Sequence, residues 1–270
     1  MERAVVFPGQ GSVGGDISGA AREAVLDYVG DGEVPYQLSV FATSIDLLYR
    51  LRDAGVEADV VAGHSLGEYA AAHAAGSLSL RDGVRLVAER DRLMNEASAQ
   101  NPGGMVALIG ADPDAVAEAV ERSDGAVVAA NFNTPRQTVV SGRMEVLDEV
   151  TEGLRGRKVR LQVAGAFHSP LMAEAAGKMD GLLRQVGFSE PEIPMVGASD
   201  GELVTTADAV RGALRNQMLS PVRWVVVVER LLELGVREIF EAGEDGTLTR
   251  MLRDFKRKDV EAKVAGDVLS

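Results

Sequence analysis

A turn between an apolar strand and an alanine-rich helix constrains this chain more than any other feature. Residues 60–62 lead into Gly63-His64-Ser65-Leu66-Gly67, which has the pattern G-x-S-x-G, and alanines at 70, 71, 72, 74 and 75 follow. Glycines on both flanks permit a turn too tight for a side chain, and Ser65 then stands at the head of a helix, where free amides favour an oxyanion. The pattern predicts a nucleophilic Ser65; the alternative is a capping serine in an ordinary turn.

Composition narrows the class of protein. The 270 residues are 46% hydrophobic, which suits one large domain or one domain with an insert. With no cysteine and three histidines, we expect neither a disulfide framework nor a metal site. A net charge of −13 argues against nucleic acid as a partner. Residues 1–4 lead directly into a strand and no apolar run could span a bilayer, so we predict a cytoplasmic protein without a membrane partner.

Short apolar runs alternate with amphipathic stretches, which predicts an α/β protein with a mainly parallel sheet and helices on both faces. The order changes to βαββαβ between residues 104 and 164, with strands at 105–110, 126–130, 137–141 and 158–164 and a turn at 131–135. That order is typical of a ferredoxin-like unit. We therefore predict a large domain formed by residues 1–103 and 165–270, and a small inserted ferredoxin-like subdomain formed by residues 104–164.

A serine nucleophile needs a base, and three histidines are available. We expect His64 to point away from its neighbour Ser65, and His73 lies about 12 Å along the helix at ~1.5 Å per residue. His168 falls between a strand and a helix start, where α/β folds place ligand-contacting loops. Elimination favours His168 as the general base. The alternative is a histidine packed at a helix entry.

Six segments together resemble the malonyl-CoA:acyl carrier protein transacylase family, including the free-standing acyltransferases that load polyketide synthases. They follow one another over nearly the whole chain, at residues 7–12, 63–68, 90 with 94, 131–133, 166–169, and 217 with 221–224. The resemblance implies a hydrolase-like α/β domain with an inserted ferredoxin-like domain. That architecture agrees with the fold predicted from the pattern of elements.

The resemblance also implies a two-step acyl transfer. Ser65 would attack the thioester of malonyl-CoA or a related acyl-CoA while His168 takes its proton, and the backbone N–H groups of Gln10 and Leu66 would hold the oxyanion. The acyl group would then pass to the phosphopantetheine thiol of an acyl carrier protein. No separate cofactor is expected, because the CoA thioester is a substrate and the phosphopantetheine belongs to the acceptor.

Three further residues match family positions near the substrate. Arg90 corresponds to the arginine that binds the free carboxylate of malonate, although its spacing alone predicts a solvated helix face. Phe167 corresponds to a position where family members that take malonyl have phenylalanine and those that take methylmalonyl have serine. Gln217 stands near the position whose carbonyl orients the histidine, so the resemblance requires no aspartate.

Several segments depart from the family pattern, at Val13, at Asp91, at 197–199 and at 244–246, and the segment 15–35 is shorter than usual. Because they border the expected acyl path, a transferase for an unusual α-substituted malonyl unit stays open. A hydrolase that clears stalled acyl groups from carrier proteins stays open as well, although Arg90 argues against it. A non-catalytic docking module is the third possibility, against which Ser65 and His168 argue.

Two basic clusters are candidates for binding an acidic carrier protein, and the alternative for each is ordinary solvated surface. One consists of Arg155, Arg157, Lys158 and Arg160, and the second of Arg250, Arg253, Lys256, Arg257 and Lys258.

Overall fold

The computed structural model describes residues 1–270 and contains ten strands and eleven α-helices. The strands are β1 (Arg3–Phe7), β2 (Val60–Gly63), β3 (Gly104–Ile109), β4 (Val127–Thr134), β5 (Gln137–Gly142), β6 (Arg157–Arg160), β7 (Met195–Val196), β8 (Leu203–Val204), β9 (Glu238–Glu241) and β10 (Glu261–Val264). The helices are α1 (Gly19–Val29), α2 (Tyr36–Asp53), α3 (Gly67–Ala74), α4 (Leu80–Gln100), α5 (Pro113–Arg122), α6 (Met144–Glu152), α7 (Ala173–Leu183), α8 (Ala207–Asn216), α9 (Trp224–Glu233), α10 (Thr247–Leu252) and α11 (Ala265–Leu269).

A six-stranded sheet in the order β10-β9-β1-β2-β7-β8 forms the centre of the molecule. All neighbouring strands are parallel except the β7–β8 pair. Side chains alternate across the sheet, so Val5 and Phe7 join the apolar core with α2, α3 and α4, while Ala4 and Val6 join a second core with α9. The predicted mainly parallel sheet with helices on both faces is therefore confirmed.

A second sheet of four strands has the order β4-β5-β3-β6, and all its pairs are antiparallel. The first and third strands of this βαββαβ unit lie side by side in the middle, as in ferredoxin-like folds. Val106 and Leu108 of β3 face α5 and α6, whereas Met105 and Ala107 belong to the main core of the molecule. The small sheet thus packs its second face against the rest of the chain.

Several predicted boundaries were wrong, and a few elements outside this unit were not predicted. The expected turn at residues 131–135 is largely strand, because β4 continues to Thr134 through two register shifts against β5. Asn131 also lies opposite Val222, in the segment before α9, and its neighbours Ala130 and Phe132 make the backbone bonds on that edge of β4. β6 ends at Arg160 rather than at 164, and the short strands β8 and β10 and the helix α11 were not predicted.

The two sheets meet along a cleft, which is where the site lies. The amide of Phe132 donates to the carbonyl of Val222 at 2.8 Å, and the amide of Val222 donates to the carbonyl of Ala130 at 2.8 Å. These bonds join β4, whose Asn131 and Asn133 line the cleft, to the segment that precedes α9. The division of the chain at residues 104 and 164 stays a prediction.

Candidate active site

The G-x-S-x-G turn can form because neither glycine has a side chain, and no side chain would fit at either position. A Cβ on Gly63 would come within 2.1 Å of the backbone of Gly67, and a Cβ on Gly67 would come within 2.1 Å of the carbonyl oxygen of Phe7. Between them Ser65 has a φ of 51°, in the left-handed region that non-glycine residues rarely adopt. Strand β2, the turn and α3 therefore present the Ser65 hydroxyl as the sequence pattern predicts.

Ser65 and His168 form a hydrogen-bonded pair, although 103 residues separate them in the chain. The Ser65 Oγ lies 2.8 Å from the His168 Nε2. On the other side of the ring, Nδ1 lies 3.0 Å from the carbonyl oxygens of both Gln217 and Ser220. Two acceptors at Nδ1 place a proton there, which leaves Nε2 free to accept the serine proton.

The electrostatic surroundings keep His168 neutral. Its burial lowers its pKa to about 4, and the positive charge of Arg90 adds to this effect. A neutral imidazole at physiological pH is the form that can act as a base. The carbonyls of Gln217 and Ser220 work in the opposite direction, because they raise the pKa of His168 by accepting its Nδ1 proton.

Arg90 lies beneath the pair, fully buried, rather than on the solvated helix face that its spacing predicts. Its Nη2 donates to the Ser65 Oγ at 3.1 Å and its Nε donates to the Gln217 Oε1 at 3.1 Å, while Nη1 donates to the side chain of Gln37. No carboxylate is salt-bridged to this guanidinium, unlike the exposed Arg92, which pairs with Glu89 and Glu96. Burial accordingly lowers the pKa of Arg90.

The amides of Gln10 and Leu66 are free to bind an oxyanion, because neither donates to a protein acceptor. Leu66 directly follows the nucleophile, and the loop that carries Gln10 packs on the turn: a Cβ on Gly9 would meet the carbonyl oxygen of His64 at 2.7 Å. The hydroxyl of Tyr36 donates to the carbonyl of Gln10 at 2.7 Å, which fixes the loop further. Their role in binding an oxyanion stays a prediction.

A cleft of about 420 Å³ opens onto this pair. Ser65, His168, Gln10 and Phe167 line it, together with apolar residues of the small sheet and of α10. Leu66, Arg90 and Gln217 lie behind the lining rather than in it. The structure therefore brings the predicted residues together in two layers, one at the cleft surface and one beneath it.

The other two histidines have structural contacts. The Nε2 of His64 lies 2.8 Å from the Asn133 Oδ1, and the ring packs against Trp224. His73 is mostly buried between the hydroxyl of Tyr49 and the carbonyl of Leu78. His64 lines the cleft as well, and so joins the turn to the wall formed by β4.

Sequence reasoning missed two residues that hold this site. Gln37 binds Arg90 from the first turn of α2, where no motif marks it. Glu68 is buried and accepts from the Gln217 side chain at 2.7 Å and from the amide of Ala198 at 2.9 Å. The signal for Glu68 was its acidic side chain inside an otherwise apolar and small-residue stretch of α3.

Two kinds of site can be assessed from the whole chain. No group of three or more His, Asp or Glu side chains is arranged to hold a metal ion. None of the helices combines the length and the apolar character needed to cross a membrane.

Comparison with known proteins gives a consistent result. A family model described as "Acyl transferase domain" matches residues 31–267. The malonyl CoA-acyl carrier protein transacylase of Bacillus subtilis strain 168 is 33% identical over 247 residues, which cover 89% of this chain and 76% of that protein.

Solved structures agree with this match. The malonyl-CoA:ACP transacylase of Synechocystis sp. PCC 6803 superposes with a TM-score of 0.91 at 30% identity, covering 100% of this chain and 99% of the other. A malonyl-transacylase in complex with its type II polyketide acyl-carrier protein superposes with a TM-score of 0.87 at 28% identity, covering 97% and 95%.

Proposed function

This chain belongs to the acyl transferase domain family, and from that premise we propose that it transfers a malonyl group from CoA to the phosphopantetheine thiol of an acyl carrier protein. An ester on Ser65 carries the malonyl group between the two halves of the reaction. The two partners are therefore malonyl-CoA and the acyl carrier protein, as the names of the relatives indicate for those proteins.

The observation that carries this proposal is the buried guanidinium of Arg90, 3.1 Å from the Ser65 Oγ and without a salt-bridged carboxylate. A buried charge costs free energy unless an opposite charge compensates it. A malonyl ester on Ser65 ends in a free carboxylate two carbons from the ester carbonyl. The planar guanidinium suits that carboxylate, because its paired N–H groups can bind both oxygens.

In the first half-reaction the Ser65 Oγ attacks the thioester carbonyl while its proton moves to the His168 Nε2. The negative charge of the tetrahedral intermediate lies on the former carbonyl oxygen, and we propose that the amides of Gln10 and Leu66 bind it. The C–S bond then breaks, and the sulfur of CoA leaves with the proton from His168. The serine ester remains.

The second half-reaction uses the same groups. The thiol of the carrier protein's phosphopantetheine gives its proton to the His168 Nε2 and its sulfur attacks the ester carbonyl. Collapse of the intermediate breaks the bond to the Ser65 Oγ, which recovers the proton. The carbonyls of Gln217 and Ser220 hold the ring throughout, so that no carboxylate is needed behind it.

We propose that this transfer needs no cofactor, because the chain's own residues supply the nucleophile, base and anion-binding groups. A cytoplasmic location likewise stays a prediction from the sequence. The hydrolase alternative is not favoured, because the transferases among the relatives share this fold and Arg90 suits an acyl group with a free carboxylate.

The experiment is malonyl loading measured by the intact mass of the protein after incubation with malonyl-CoA. We expect a single malonyl adduct that a phosphopantetheinylated carrier protein removes, and no adduct on Ser65→Ala. Arg90→Ala should lower the loading rate about 100-fold, because truncation of one partner leaves the other charge unpaired. Arg92→Ala on the same helix should load at the wild-type rate.

Adduct formation on Ser65→Ala, or equal loading by Arg90→Ala, would contradict the assignment. Rapid loss of the adduct to water in the absence of a carrier protein would instead indicate a hydrolase.

A further inference from the structure

Glu68 is a titratable side chain that the mechanism does not use, and it lies within the layer beneath the cleft. Only 2% of its surface is exposed. Its two oxygens have one partner each: Oε1 accepts from the amide of Ala198 at 2.9 Å, and Oε2 accepts from the Gln217 Nε2 at 2.7 Å. It forms no salt bridge, and the amides of Ala198 and Gln217 are its two donors.

The second partner, Gln217, connects Glu68 to Ser65, His168 and Arg90. The same Nε2 of Gln217 donates to the carbonyl oxygen of Ser65 at 2.8 Å. The other side-chain atom, Oε1, accepts from the Arg90 Nε at 3.1 Å, and the backbone carbonyl of Gln217 accepts from His168. One glutamine therefore touches the nucleophile, the base and the carboxylate-binding arginine.

The contacts of the Gln217 amide allow only one orientation. If the amide were reversed, its NH2 group would face the donating Nε of Arg90. Its carbonyl oxygen would face two acceptors, the Glu68 carboxylate and the Ser65 carbonyl. Each such contact leaves a buried polar group without a partner, which is costly.

We propose that Glu68 is a positioning residue that sets the orientation of the Gln217 amide and, through it, turns the Arg90 guanidinium toward the acyl carboxylate. Glu68 itself touches no substrate atom. This inference rests on the proposed malonyl transfer, and it assigns the selectivity for a dicarboxylic acyl group in part to a residue one helical turn after the nucleophile.

The substitution Glu68→Gln tests this because it keeps the shape and removes one acceptor. If its oxygen accepts from Ala198, its NH2 group faces the NH2 group of Gln217. If it is turned round, its NH2 group faces the amide of Ala198. In either orientation one hydrogen bond is lost, and in the first the Gln217 amide is pushed toward the reversed orientation.

The measurement is the ratio of the loading rates with malonyl-CoA and acetyl-CoA, because only malonyl has a carboxylate for Arg90. We expect the ratio to fall about tenfold in Glu68→Gln, the effect of one buried hydrogen bond. A merely structural loss would reduce the amount of folded protein and lower both rates equally. Glu241→Gln is the matched control, since Glu241 is also buried and accepts from two backbone amides, those of Leu248 and Thr249.

A double variant tests whether the effect passes through Gln217. In a Gln217→Ala background the backbone carbonyl still holds His168, but the amide that Glu68 orients is gone, so adding Glu68→Gln should leave the ratio unchanged. An unchanged ratio in the single variant, or an additive effect in the double variant, overturns the proposal. If the wild-type protein loads no malonyl group at all, the proposed function has failed instead.

Discussion

The Ser65 Oγ and the His168 Nε2 lie 2.8 Å apart, and both residues reach this position from a left-handed backbone, with φ of 51° and 55°. Such conformations cost roughly 1–3 kcal/mol for non-glycine residues and persist only where the surrounding structure enforces them. At Ser65 the enforcement comes from the flanking glycines. At His168 the carbonyls of Gln217 and Ser220 hold the ring at Nδ1.

The first prediction concerns the charge of His168. Burial, with the nearby Arg90, lowers its pKa to about 4, so the ring should stay neutral across the physiological range. Nuclear magnetic resonance of the histidine rings should show a signal, absent from His168→Ala, that titrates far below 6.5. In Arg90→Gln the pKa should rise, because the second cause of the shift is removed. A wild-type value near 6.5 would mean that the ring is solvated.

The second prediction concerns the turn itself. Gly63→Ala should destabilise the protein by roughly 3 kcal/mol or more and abolish loading, because the new Cβ would lie within 2.1 Å of the Gly67 backbone. The control is Gly177→Ala in the exposed part of α7, where a Cβ meets nothing within 4 Å. It should stabilise the protein by about 0.5–1 kcal/mol, since alanine is the better helix former. Equal midpoints of thermal unfolding would show that the turn tolerates a side chain.

The nucleophile and its fold could be predicted from the sequence because their signals are local. Two glycines mark the Ser65 turn, and the alternation of strands and helices indicates the parallel sheet. His168 was reached by elimination among three histidines, which the small number in this chain made possible. For Arg90, spacing alone predicts a solvated face, and only the resemblance to a family indicates a substrate-binding residue.

The features that sequence reasoning missed or predicted wrongly have a common physical cause, which is contact between segments that are distant in the chain. β4 extends through Asn131 to Thr134 because β5 stays paired with it through two register shifts, and Val222 adds backbone bonds on its other edge. Gln37 and Glu68 hold the site through partners that lie 53 and 149 residues away. No motif marks Gln37, and although Glu68 ends the matched segment 63–68, nothing in that segment indicates its contact with Gln217. Short edge strands such as β8 and β10 depend on pairing rather than on their own composition.

The third prediction concerns the acyl group. Phe167 is buried at the cleft wall, so a shorter side chain there should make room for a 2-methyl branch. Phe167→Ser should raise the loading of methylmalonyl-CoA relative to malonyl-CoA about tenfold, in keeping with the ~1–3 kcal/mol that one carbon is worth in a fitted pocket. Competition between the two thioesters, read by intact mass, measures the ratio. An unchanged ratio would place the branch elsewhere in the cleft.

The fourth prediction concerns carrier binding. Arg157 and Lys158 are exposed on the outer strand β6, and residues 161–163, which follow it, line the cleft. Arg157→Glu with Lys158→Glu should raise the KM for the carrier protein about tenfold at low salt and leave malonyl loading from CoA unchanged. Arg122→Glu on α5, an exposed arginine outside this cluster, is the control. If both variants behave alike, the cluster is ordinary solvated surface.

The last prediction concerns the pKa of Glu68 and the pH dependence of stability that follows from it. Burial raises this pKa from 4.5 to about 7, and the negative charge of Asp200 adds to the rise. The hydrogen bonds from Ala198 and Gln217 and the positive charge of Arg90 act in the opposite direction and lower the pKa. As the pH rises from 4.5 to 7 the unfolded chain loses this proton while the folded protein keeps it. The folded state therefore binds more protons, and stability falls with rising pH in this window.

The free energy of unfolding of the wild type, minus that of Glu68→Gln, should accordingly decrease by up to about 3 kcal/mol between pH 4.5 and 7 and stay level outside it. The subtraction is needed because His168, whose pKa is lowered, makes stability rise with pH below 6.5 in both proteins and would mask the effect. Urea unfolding of the wild type and of Glu68→Gln at a series of pH values gives the two free energies of unfolding. A difference that does not vary with pH would show that Glu68 ionises in the folded protein as it does in water.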